Sequence, residues 1–131
     1  MIGKHLFVSS MSAAEFTAKR TVAAYPLLLD LRKKGRLYLG DIISRSVDQL
    51  LVDAPTKELW DGAIRTRNCV VHNNGIADET QEWRYSDALS IKMTDGQMTQ
   101  GTMMTFPRLT RWVVCAYAAW SDGLLAKHRH D

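Results

Sequence analysis

The chain has 131 residues, 46% hydrophobic and 24% charged, with a formal net charge of +3 and a pI of about 9.0. That length and mix suit one globular domain, residues 1–131, whose core needs neither disulfide nor metal staples. The mild basicity permits a nucleic-acid partner without demanding one, so any such partner has to be argued from a site and not from a charge count.

The first helix is predicted from about Ser12 to Lys34. Pro26 should kink or break it, and Lys33-Lys34-Gly35 has the form of a terminus, with cations in the last turn and glycine after them. A second helix is predicted from near Asp41, a suitable N-cap. Leu39, Ile42, Ile43, Val47, Leu50 and Leu51 recur there at three- and four-residue steps and make one apolar stripe. Asp53-Ala54-Pro55 stops that helix and starts a third, about Pro55 to Asn74, with proline in the first turn. Leu59, Trp60, Ala63, Ile64, Val70 and Val71 lie on one side of it.

After Gly75 the stretch from Ile76 to Ser86 is polar and reads as a loop. Leu89, Ile91 and Met93 alternate with polar residues up to Asp95-Gly96, and Met98 to Met104 follows. Asp-Gly between two short alternating runs signals a hairpin. Lys92 on the first run is a lone cation and carries no argument. Thr105-Phe106-Pro107 opens a last helix to roughly Lys127, with Leu109, Trp112, Val113, Ala116, Tyr117, Trp120 and Leu124 on its apolar face. Short loops between amphipathic helices argue for an up-and-down bundle.

The third helix carries the chemistry. Arg67-Asn68-Cys69-Val70-Val71-His72-Asn73-Asn74-Gly75 sets a guanidinium, an amide and an imidazole within two turns, just before a glycine that should end the helix. An imidazole moves protons near neutral pH, and a guanidinium can hold a phosphate oxygen through two hydrogen bonds. Arg67 falls near the middle of the apolar arc, where it must be paired or must face a ligand. Asn68 and His72, four apart, share the adjoining flank with Asp61 and Arg65. A structural reading stays open beside the functional one. In it, Arg67 pairs with Asp61 or Glu58, and His72 caps a helix C-terminus. Asn73, Asn74 and Gly75 read as a C-cap tolerating left-handed backbone.

The string Arg67-Asn68-x-x-Val71-His72-Asn73-x-Gly75 resembles the signature of the HEPN superfamily of helical domains, an arginine followed after four to six residues by a histidine, commonly with a polar residue after the arginine. The specific match covers about nine residues. The resemblance implies an all-α, four- to five-helix up-and-down bundle, here with a small β-hairpin or irregular insert before the last helix. It also implies a homodimer in which two motifs face each other. Many members are metal-independent endoribonucleases of toxin–antitoxin, abortive-infection and CRISPR systems; others are catalytically silent modules that bind nucleotide, RNA or a partner protein. Carried over, Arg67, Asn68 and His72 are the expected catalytic residues, with no cofactor and no metal. A family variant that works with a nucleotidyltransferase has a tyrosine two positions after the histidine; here that position is Asn74.

Arg65, Asn73, Arg108 and Arg111 are the expected RNA contacts. The expected partners are an RNA substrate, a second copy of the chain, and an antitoxin or effector complex, with no membrane. Trp112, Tyr117 and Trp120, at helical spacing, read as core or interface before base-stacking residues. His128 and His130 read as a polar, frayed end. Cys69 and Cys115, far apart in apolar-periodic segments, have no second pair to build a zinc site and read as small buried side chains in a reducing compartment. The apolar run before Ser9-Ser10 is too short for a signal-peptide core, and no stretch approaches a membrane span, so a cytoplasmic location is expected.

Overall fold

The structure, a computed structural model, describes residues 3–25, 37–99 and 104–130, the side chain of His130 excepted. These residues are mainly helical: α1 (Lys4–Ala24), α2 (Leu39–Asp48), α3 (Ala54–His72), a two-stranded antiparallel hairpin of β1 (Gln81–Ser86) and β2 (Leu89–Met93), and α4 (Thr105–His130). The hairpin thus stands before the last helix, as expected, although its first strand does not lie where the sequence pattern placed it.

Helix α1 starts at Lys4, well before Ser12. Its buried stripe of Phe7, Met11, Ala14, Ala18 and Val22 runs at helical spacing through Ser9-Ser10, so the two serines are passengers on the exposed and half-buried sides. The stripe packs along α4, where Phe7 meets Phe106 with ring centroids 5.6 Å apart. The expected kink at Pro26 and terminus at Lys33-Lys34-Gly35 lie outside the described residues.

Helix α2 is N-capped by Tyr38, and not by Asp41. Asp41 sits at the third helical position, where its carboxylate accepts the Tyr38 N–H at 2.9 Å. A carboxylate on the far side of a capping box does the work that the N-cap reading had given it. Leu39, Ile42 and Ile43 are buried, whereas Leu50 lies past the helix end at φ 63° and is 92% exposed, so the stripe ends sooner than its spacing suggested.

Asp53 caps α3, accepting the Thr56 N–H at 2.8 Å, and hydrogen bonding from the Thr56 side chain first and its backbone N–H second holds the Asp53 carboxyl below the usual value. At the other end Asn74 (φ 55°) and Gly75 (φ 83°) take the left-handed backbone expected of the C-cap. The buried side of α3 is Trp60, Gly62, Ala63, Thr66 and Cys69, while Val71 is exposed. Glycine, threonine and cysteine carry little apolar signal, so the arc drawn from the aliphatic residues alone was rotated, and Arg67 lies at its edge and not at its centre.

The second half of the stretch expected as a loop, Gln81–Ser86, is a strand. Trp83 is buried and Tyr85 half-buried, alternating with exposed Glu82 and Arg84, and Trp83 pairs with Ile91 across the hairpin. The reversal is at Asp87-Ala88; Asp95-Gly96 makes a later turn that leads to a single bridge between Met98 and Ile76. The hairpin docks on α3, where the Tyr85 hydroxyl donates to the Leu59 carbonyl at 2.6 Å and Trp112 of α4 sits edge-on to both Tyr85 and Trp60. Burial is the main reason the Tyr85 phenol is held well above its ordinary pKa, with the Asp61 carboxylate adding to it. Among the described residues no helix is long and apolar enough to cross a membrane.

Candidate functional site

The C-terminal half of α3, the start of α2, Glu15 of α1 and the loop after the motif enclose a cleft of about 720 Å³. Arg65, Arg67, Asn68, His72 and Asn73 all line it. Helical spacing accounts for this: positions 65, 68 and 72 recur at three- and four-residue steps, so one face of α3 presents them together. His72 occupies the last helical position, exposed at the cleft, and Asn73 is the C-cap whose N–H bonds to the Cys69 carbonyl.

Arg67 is the most buried of the set. Its side chain is only 17% exposed; Nε donates to Asn68 Oδ1 at 3.2 Å, and Nη1 lies 3.8 Å from Glu15 Oε1. The carboxylate partner is therefore Glu15, on a different helix, and neither Asp61 nor Glu58. Asp61 instead accepts from Lys57 at 2.8 Å, a hydrogen bond that raises the Lys57 pKa. Asn68 spends its carbonyl on the arginine, which points its role toward fixing the guanidinium.

Arg65 is already engaged, its guanidinium bonded to the Glu79 carboxylate on the loop that follows the motif. Arg108 and Arg111 lie elsewhere. Arg108 donates to the Ala88 carbonyl at 2.9 Å, and both arginines border a separate apolar recess with Tyr85, Leu89, Trp112 and Cys115. The expected RNA contacts thus divide between two places, with Arg65 and Asn73 at the motif cleft and the α4 pair outside it.

Asp61 lines the cleft on the flank where the helical spacing put it, but the other carboxylates there were not legible in the sequence. Glu15, Asp41, Asp61, Asp78 and Glu79 line the cleft against two guanidiniums, Arg65 and Arg67. Such a lining is not a basic groove of the kind that tracks a phosphate backbone. No spacing rule could have revealed Glu15, which reaches Arg67 only through the packing of α1 on α3.

Cys69 is buried, with Sγ 3.3 Å from Thr99 Oγ1, as a packing residue should be. Cys115 is exposed, contrary to expectation, because it lies on the outer flank of α4. The His128 ring packs at a tilt against Tyr25 with centroids 4.6 Å apart, and no cluster of metal-ligating side chains occurs among the described residues. No protein-family model matches the chain, and no curated protein or solved structure matches it.

Proposed function

We propose that the protein is a metal-independent endoribonuclease of HEPN type, acting as a homodimer of up-and-down helical bundles. The observation that carries this reading is the convergence of Arg67, Asn68 and His72 on one cleft, with the imidazole exposed and the guanidinium held from two sides.

The chemistry follows from the groups. Neutral His72 takes the proton of a ribose 2′-hydroxyl, and the freed oxygen attacks the adjacent phosphorus. A bond from O2′ to phosphorus forms as the bond to O5′ breaks. Arg67 meets the negative charge that grows on the non-bridging oxygens, and Asn68 holds its Nε so that the fork does not swing away. The departing O5′ takes a proton from an acid, for which the His72 of a second copy is the natural candidate. The products are a 2′,3′-cyclic phosphate and a 5′-hydroxyl, and no metal ion enters the scheme. A free-standing domain of this kind suits a toxin or anti-phage effector under the control of an antitoxin or an effector complex, working in the cytoplasm.

The carboxylate-rich lining favours one alternative, a catalytically silent module of the same type that binds nucleotide, RNA or a partner protein. Labelled single-stranded RNA incubated with the purified protein in EDTA separates the two. The nuclease reading predicts cleavage with cyclic-phosphate ends, and an uncut strand retained on the protein would favour the binding module.

A further inference from the structure

We propose that Glu15 is a positioning residue for Arg67, an inference that rests on the nuclease reading of the cleft. Glu15 joins three elements with one carboxylate. Its Oε2 accepts the Leu39 N–H at 2.8 Å, at the first residue of α2, and its Oε1 lies 3.8 Å from both Arg67 Nη1 and Lys19 Nζ. The first contact fixes where the carboxylate is. The second uses that fixed charge to hold the guanidinium against the cleft wall.

The distances decide what kind of hold this is. At 3.8 Å the Glu15–Arg67 contact is an ion pair without a hydrogen bond, so it orients the fork without occupying its N–H groups. Nor is the carboxylate matched to Arg67 alone. Lys19 faces the same oxygen, so Glu15 is shared between two cations. With Glu15 only 18% exposed at its side chain, water screens the pair less than it would at the surface. Arg67 is therefore held twice, by Asn68 at Nε and by the Glu15 charge at Nη1, and the Glu15 contact takes up none of its N–H groups. Pre-set orientation of this sort lowers the reorganisation needed as charge develops, so its loss should fall on kcat and leave KM largely alone.

The test compares the full-length wild type with Glu15→Gln and Glu15→Asp. Glutamine can still accept the Leu39 N–H but lacks the charge; aspartate keeps the charge on a shorter arm. The RNA assay should show kcat lowered about tenfold by Glu15→Gln at nearly constant KM, with Glu15→Asp recovering part of it. In parallel, the Arg67 Nε–H resonance, assigned by its disappearance in Arg67→Lys, should exchange slowly with water in the wild type and rapidly in Glu15→Gln. Unchanged exchange in a folded Glu15→Gln protein would overturn the proposal, as would cleavage as fast as the wild type or faster. Should the wild type cut no RNA, the nuclease reading falls by itself, and the Arg67 resonance still decides whether Glu15 holds the guanidinium.

Discussion

Replacing Gly62 by alanine should destabilise the protein, although the same change at an exposed helical position would stabilise it. Gly62 lies inside α3 directly under the hairpin. A Cβ there would stand 2.6 Å from Trp83 Cγ and 2.7 Å from the Tyr85 hydroxyl oxygen. Removing a glycine from a helix interior gains about 1 kcal/mol. Against that, forcing a methyl into a packed interface costs about 1–3 kcal/mol, and displacing Tyr85 from the Leu59 carbonyl costs roughly 1 kcal/mol more. The balance is a loss of about 1–3 kcal/mol, and each kcal/mol is roughly 3–5 °C in Tm for a chain of this length. Trp83 is buried on the hairpin and Tyr85 is wedged against Trp112, so neither ring has room to retreat cheaply. Denaturant titration of the wild type and Gly62→Ala reads the difference directly. A variant as stable as the wild type, or more so, would mean that the hairpin does not dock on α3 in this way.

Two further substitutions probe the frame around the site. Ser46 is fully buried, donating to the Ile42 carbonyl at 2.7 Å and accepting the Trp120 indole N–H at 2.9 Å. Ser46→Ala strands that N–H and should lower the unfolding free energy by about 1–3 kcal/mol, and a wild-type denaturation midpoint would contradict the contact. Tyr85 provides a pH signature. Its folded pKa is raised, so the unfolded chain ionises first as pH climbs past the ordinary tyrosine value of about 10, and the wild type loses stability from there upward. Tyr85→Phe lacks the hydroxyl and should begin less stable at pH 8, with the gap narrowing above pH ~10; parallel melting curves would show that the phenol is not buried in the folded state.

How far the sequence foretold the structure depended on whether a feature is local. Asp53 with Pro55, the Asn74-Gly75 exit and the long apolar face of α4 are each written within a turn or two of chain, and each is found in place. Asn68 and His72, four apart, share a face by the geometry of a single helix, and Arg67 joins them in lining the cleft. What failed was non-local or chemically quiet. β1 hides behind Glu82 and Arg84, because its signal is only two aromatic residues, and its partner strand is needed to make it a strand. The buried face of α3 runs through Gly62, Thr66 and Cys69, and the neighbours of Gly62 and Cys69 are Trp83 and Thr99, distant in the chain. The Glu15 carboxylate beside Arg67 arises from the meeting of two helices that no periodicity links.

The central claim is that His72 and Arg67 act on the same phosphodiester. It is tested most directly by cleavage of a single-stranded RNA in EDTA by the wild type, His72→Ala and Arg67→Ala, each first shown to be folded. The wild type should leave 2′,3′-cyclic phosphate and 5′-hydroxyl ends, and both variants should lose cutting by at least about a hundredfold. Cleavage by His72→Ala at the wild-type rate, or a wild type that leaves the RNA intact, would contradict it.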